Sequence, residues 1–356
     1  MQLEYLRGAA TSAPIFPTAQ TAAYSNMGFP LLALILSRLQ NSTPFADLFQ
    51  THLVDALNMT GTSYTVPRSL DRAHAVIAGD PTTSGWDTEM GVFSPTGGNF
   101  ASTSSLAALG RSILSSSLLP ASTTRRWLHP ASLVNDLYAA VGRPWEIYRL
   151  RHAGRMVDVY TKAGDWGNYA SLFALVPDYG VGFTVLTATD TPAGAADVNG
   201  LRNAVPDLLA PVLVRAVDEV AKAQAEANFG GTYANSRVNS SLSLVVDAGS
   251  GLRVTSWIYN GTNLYAFFSA LKPELDWRLL PNDLFDEDSG KVGFTSFLTT
   301  PLIPDRLFFG KGLEWSDVDG ISVGNVPAGQ FVFNVDEDGS AIGVESVGFG
   351  KRMERE

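Results

Sequence analysis

The sequence predicts an α+β chain: an antiparallel sheet flanked by helices, followed by a separate all-β domain. Three observations carry that expectation. Stretches before residue 60 and after residue 205 repeat apolar residues at the helical period. From Arg155 the pattern changes to β-rich runs around a Pro177-Asp178-Tyr179-Gly180 turn. After Asn228 the composition shifts to short β-rich runs parted by Gly, Asn and Asp. The expected domains are therefore 1–228 and 229–356.

Residues 24–60 read as helical after a short loop. Leu31, Leu32, Leu34, Ile35, Leu36 and Leu39, then Phe45, Leu48, Phe49, Leu53 and Leu57, share one period. Pro44 stands where a first helical turn tolerates proline. Residues 61–100, rich in Gly, Pro, Ser and Thr, read as surface loops. Ser102 to Leu118 reads as a small-residue helix capped by one of the hydroxyls at 102–104. Met156, Val157, Val159 and Tyr160 lead into Lys162-Ala163-Gly164, and Tyr169–Val176 with Val181–Thr187 reads as a hairpin. Pro206 to Asn228 reads as a long helix with Leu208, Leu209, Val212, Leu213, Val217 and Val220 as its buried stripe. Phe229-Gly230-Gly231-Thr232-Tyr233 then opens the β domain, a small barrel or a sandwich.

Composition narrows the function classes. With 356 residues, 45% of them apolar and 17% charged, the chain is globular and long enough to need no disulfide or metal staple. The net charge of −10 argues against nucleic acid as a partner, because phosphate contacts need clustered Lys and Arg. Neither region is basic: residues 228–356 hold 10 Lys and Arg against 17 Asp and Glu, and the remainder 15 against 18. Cysteine is absent, which removes thiol catalysis, Cys-based zinc sites and iron–sulfur clusters. His52, His74, His129 and His152 are scattered and read as structural or surface residues, so no metal is expected. There is no Gly-x-Ser-x-Gly elbow, Walker loop or dinucleotide fingerprint, and no organic cofactor is expected. The longest apolar run, Phe29 to Leu36, is eight residues, well short of the ~20 of a membrane span. Residues 1–14 lack the apolar core of a signal peptide, yet Asn-x-Ser/Thr sequons occur at Asn41, Asn58, Asn239 and Asn260. Two localisations stay open: cytoplasmic, or secreted with a leader upstream of Met1.

Two short patterns remain. Tyr24-Ser25-Asn26 follows a proline-containing loop and opens the first long helix, and Lys162-Ala163-Gly164 lies on a strand. Tyr233-Ala234-Asn235 and Lys291-Val292-Gly293 match the same patterns, so context separates the pairs. The first pair, in this order and setting, resembles the serine β-lactamase and penicillin-binding-protein family in its class C form. That family carries Ser-x-x-Lys, then Tyr-x-Asn, then a Lys-Thr-Gly variant. The resemblance extends through Phe16-Pro17, Tyr24 to Phe29, Asp55 to Thr62 and Thr96 to Thr103. Tyr160 to Ala188 is similar to fungal β-lactamase-related proteins, several with a C-terminal β domain.

The resemblance implies a β-lactamase/transpeptidase-like fold, incomplete at its start, and a serine hydrolase that acts on a small molecule's amide, ester or lactam carbonyl through an acyl-enzyme. It implies Tyr24 as general base or proton relay, with Lys162 supplying the cation that favours its phenolate and holding a substrate carboxylate. Asn26 positions substrate. Gly164 lets a substrate backbone lie against the strand, and the Asp165 N–H forms one arm of an oxyanion hole. The family's serine and lysine should precede Tyr24, but residues 1–23 contain no lysine. The one Ser-x-x-Lys, Ser269 to Lys272, precedes Pro273 and reads as a strand end or turn. The expectation is thus a chain that starts downstream of its nucleophile and shows apolar surface where the preceding segment packs, inactive as it stands. A binding pseudoenzyme and an acyltransferase or hydrolase of secondary metabolism stay open as alternatives.

Overall fold

The computed structural model describes residues 2–67, 74–191, 193–271, 276–285, 287–299 and 322–356. It divides into two compact units, Met1–Val214 and Arg215–Glu356.

The first unit opens with α1 (Gln2–Thr11), α2 (Gly28–Leu39) and α3 (Phe45–Phe49), which runs on into a wider π-helical turn, Gln50–Asp55. The described residues of 61–100 are mostly loop, with short helical turns at Gly91–Phe93 and Ser94–Gly97 and a short pairing of Thr62–Ser63 with Phe100–Ala101. The helix α4 (Thr103–Leu114) begins where Ser102 Oγ accepts the Ser105 N–H, satisfying one orphan donor of the first turn. After α5 (Ala121–Trp127) come six antiparallel strands in sequence order: β1 (Ser132–Leu133), β2 (Ala139–Val141), β3 (Glu146–His152), β4 (Arg155–Trp166), β5 (Tyr169–Val176) and β6 (Val181–Ala188).

Alternation along the strands builds two cores. On one face Ile147, Tyr160 and Leu175 pack with Trp145 and with Ile113 of α4. Gly110 brings α4 close: a Cβ there would lie 3.3 Å from Leu175 Cδ2. On the other face Val157, Val159, Ala174 and Val176 pack with Val214 of α6 (Ala195–Phe229).

The helix α6 departs from expectation twice. It begins eleven residues before Pro206, with Pro206 and Pro211 inside it and Asp197 in its first turn, where the helix dipole favours a carboxylate. Its buried positions include Val198 and Val214, whereas Leu208, Leu209, Val212 and Val220 are exposed, Leu208 by 75%. Several apolar stripes wind round this helix, and the sheet selected one that helical periodicity alone did not distinguish. On α2, Leu32, Ile35, Leu36 and Leu39 are likewise exposed.

The second unit resolves the choice of barrel or sandwich. Its strands are β7 (Gly231–Asn235), β8 (Ser240–Val245), β9 (Leu252–Tyr259), β10 (Asp276–Asn282), β11 (Lys291–Thr299), β12 (Gln330–Val335), β13 (Ala341–Ser346) and β14 (Lys351–Arg355). They run β8-β7-β14-β13-β12-β11-β10-β9, and β9 pairs back on β8, which closes an eight-stranded antiparallel barrel. Every second residue points inward: Leu242 and Leu244, Leu252 and Val254, Trp277 and Leu279, Phe331 and Phe333 are all buried. Trp257 anchors the cluster edge-to-face on Trp277 and Phe331, and Phe229 adds its ring against Phe294 and Phe333.

Ser269 lies in a helix, α7 (Leu264–Leu271), instead of the expected strand end or turn. Asn263 Oδ1 accepts the Ala266 N–H, so a cap starts the helix, and Tyr265 and Phe268 pack on the barrel core. Lys272 lies outside the described residues.

Candidate active site

The site starts from a difference in strand length. On β4 the last residue paired with β3 is Thr161, opposite Glu146. The strand continues to Trp166 against β5 alone. Lys162 to Trp166 therefore have a strand neighbour on one side only. Ala163 directs its N–H to that open side, where it donates to Glu146 Oε2 at 3.2 Å. Main-chain groups of alternate strand residues face the same edge, so the Asp165 N–H is directed the same way, beyond the end of β3.

Lys162 is fixed at the start of this edge. Its Nζ donates to Glu146 Oε1 at 2.7 Å and to the Ala163 carbonyl at 2.8 Å. Glu146 thus grips both the ammonium and the backbone next to it. The two side chains are each about 30% exposed, so water screens the pair.

Tyr24 and Asn26 arrive from the loop before α2. The Tyr24 hydroxyl donates to Asn26 Oδ1 at 3.0 Å. Thr96 Oγ1 donates to the Asn26 carbonyl at 2.9 Å, and the Tyr5 hydroxyl donates to the Met27 carbonyl. Ser25 Oγ accepts the Gly28 N–H at 3.1 Å, which fixes the turn leading into α2. Lys162 Nζ lies over the Tyr24 ring, 5.4 Å from its centroid. The ammonium therefore meets the ring face by a cation–π contact, and the phenol spends its proton on Asn26.

Gly164 and Asp165 have partners of their own. A Cβ at Gly164 would lie 2.7 Å from Ser171 Oγ across the hairpin, so the neighbouring strand already explains a glycine here. The Asp165 carboxylate accepts from Arg202 Nη1 of α6 at 2.9 Å on both oxygens.

The structure thus brings Tyr24, Asn26 and Lys162 together and sets Gly164 and Asp165 further along the same strand. Sequence reasoning missed Glu146 and Arg202. Glu146 was within reach: counting back through the His152–Arg155 turn puts it opposite Thr161. Arg202 had no sequence signal, because its partner is 37 residues away on another element. Among the described residues no three His, Asp or Glu side chains gather as a metal site.

These contacts stand beside similarities to known proteins. A model of the C-terminal domain of beta-lactamase-like proteins matches residues 221–356, the region of the barrel. A beta-lactamase-like protein of Arthroderma benhamiae is 28% identical over 383 residues, covering 96% of this chain and 62% of its own length. A probable hydrolase of Cochliobolus lunatus is 26% identical over 272 residues, covering 74% of this chain and 41% of its own. The chain thus spans 41 to 62% of the length of these two relatives. Among solved structures, a β-lactamase/D-alanine carboxypeptidase from Yersinia pestis has a TM-score of 0.47 at 20% identity, covering 59% of this chain and 61% of that one. The beta-lactamase family model itself matches residues 2–205, more than half of the chain and the stretch that carries Tyr24, Asn26 and Lys162. On that match, this chain belongs to the beta-lactamase family.

Proposed function

We propose that the first unit serves a β-lactamase-like hydrolase that handles a small molecule's amide, ester or lactam carbonyl through an acyl-enzyme. The observation that carries the reading is the meeting of Lys162, Tyr24 and Asn26 at the unpaired edge of β4. An extended acyl group laid along that edge meets the Asp165 N–H, a donor suited to a developing oxyanion. Two of the ammonium's three protons are taken by Glu146 and Ala163, which leaves one for a ligand carboxylate. Tyr24 relays a proton through its hydroxyl, with Asn26 orienting it. The attacking serine is not among these residues, since no Ser-x-x-Lys stands ahead of Tyr24 in this sequence.

That same observation favours a second reading, a binding protein that keeps the recognition half of the site. One experiment addresses both. The 356-residue chain is incubated with a penicillin-type β-lactam, with reversible binding read by calorimetry and acylation by intact mass. Reversible binding without an adduct is expected, weakened about 10- to 100-fold by Lys162→Ala, the worth of one charge-assisted hydrogen bond. A covalent adduct identifies a nucleophile within this chain and sinks the non-catalytic reading. Equal binding by Lys162→Ala removes that residue from the site. In a catalytically active form, Tyr24→Phe lowers kcat about 100-fold or more while leaving Tm within a degree or two.

A further inference from the structure

Four asparagines outside the candidate site share a property that the sequence did not reveal. Asn41, Asn58, Asn239 and Asn260 each head an Asn-x-Ser/Thr sequon. Each is exposed, and each has a left-handed backbone, with φ of 55°, 51°, 43° and 47° respectively. The association runs both ways. Among the described residues no other asparagine has positive φ, although the chain has twelve more. A left-handed residue reverses the chain at a turn. Asn41 follows the C-terminus of α2, and Asn58 follows the π-helical turn. Asn239 precedes β8, and Asn260 sits in the turn after β9. No hydrogen bond among the described residues occupies any of the four side-chain amides.

Turn preference accounts for an asparagine at such a position, but not for the hydroxyl residue two places later; among the described residues only the Thr43 hydroxyl has a bond of its own, donated to the Gln40 carbonyl at 2.6 Å. We propose that these four asparagines are N-glycan acceptor sites, modified by transfer of an oligosaccharide from a lipid pyrophosphate. In that transfer the amide nitrogen attacks C1 of the first sugar. The N–C1 bond forms, the C1–O bond to the pyrophosphate breaks with its electron pair leaving on the lipid pyrophosphate, and the amide loses one proton. Each glycan then projects from a turn and displaces no packed side chain. Asn239 and Asn260 occupy touching turns: the Gly261 N–H donates to the Asn239 carbonyl at 2.9 Å. Asn41 and Asn58 stand on separate turns and accept independently; the adjacent pair competes for space. This inference is independent of the hydrolase reading.

The test is secretion of the full chain behind a cleavable leader from a eukaryotic host, then enzymatic deglycosylation in heavy-oxygen water and peptide mass spectrometry. Heavy-oxygen aspartate is expected at position 41, at position 58 and at one or both of 239 and 260. Thr43→Ala, Thr60→Ala, Ser241→Ala and Thr262→Ala keep every turn asparagine. For each site labelled in the parent protein, the matching substitution removes its label, and for Thr60, Ser241 and Thr262 it leaves the Tm of the deglycosylated protein within a degree or two. Thr43→Ala also gives up the bond to the Gln40 carbonyl, so a larger fall in its Tm does not bear on the label. Secreted protein unlabelled at 41, at 58 or at both members of the pair overturns the proposal. So does persistence of the label when the matching hydroxyl is removed.

Discussion

Glu146 ties the ammonium of Lys162 to the backbone of β4, and removing it gives a measurable consequence. Glu146→Ala deletes two contacts, the 2.7 Å bond to Lys162 Nζ and the 3.2 Å bond from the Ala163 N–H. A charge-assisted hydrogen bond contributes about 1.5–3 kcal/mol when sheltered. With both side chains about 30% exposed, screening reduces that to about 1 kcal/mol. The amide bond adds about 0.5–1 kcal/mol, so Glu146→Ala should destabilise the first unit by about 1.5–2 kcal/mol. Glu146→Gln keeps an acceptor for the amide and should lose about 1 kcal/mol. A double-mutant cycle with Lys162→Ala isolates the pair, with an expected coupling of about 1 kcal/mol that shrinks at high salt. Denaturant unfolding gives the cycle, and amide exchange at Ala163 gives a local check. Exchange should accelerate about tenfold in Glu146→Ala but much less in Glu146→Gln. Coupling below about 0.3 kcal/mol, or unchanged Ala163 exchange in Glu146→Ala, would refute the claim that this carboxylate fixes the lysine.

Two further outcomes follow from the packing. Gly164→Ala forces Ser171 Oγ from its place 2.7 Å from the new Cβ and should cost about 1 kcal/mol; Ser171→Ala removes the obstructing atom and should abolish that cost, as read by denaturant midpoints. In the barrel, hydrogen bonds from the nearly buried Arg278 guanidinium hold the Asp247 carboxyl below its ordinary range. A depressed folded-state pKa stabilises above the unfolded pKa near 3.8 and is lost as pH falls through the folded value. Asp247→Asn should therefore lower barrel stability by about 1–2 kcal/mol at pH 7 and converge on the parent protein as pH falls through the depressed folded-state value, with a parallel acid limb counting against the pairing.

The site was legible in part. Tyr24-Ser25-Asn26 and Lys162-Ala163-Gly164 stood out as patterns, and family resemblance joined them although Lys162 lies 138 residues after Tyr24. Their roles were harder to read. The resemblance implied an ammonium favouring the phenolate; in the structure the ammonium lies over the Tyr24 ring, and the hydroxyl donates to Asn26, two residues away. Gly164 suggested room for a substrate, and the structure adds a second cause for a glycine, since a Cβ there would lie 2.7 Å from Ser171 Oγ.

Local chemistry alone determined the α+β order, the Ser102 cap, the strands either side of Pro177-Asp178-Tyr179-Gly180 and the switch to β structure near residue 229, because each depends on contacts within a few residues. Tertiary structure decided the rest. It chose which stripe of α6 is buried, because an amphipathic helix with several apolar stripes takes its orientation from the surface it meets. It closed the barrel through the pairing of β8 with β9 and left β4 longer than β3, since strand alternation specifies which side chains face inward but leaves open where a sheet ends. From that unequal length come the open edge, the grip of Glu146 on Lys162 and the place where the Tyr24 ring meets it.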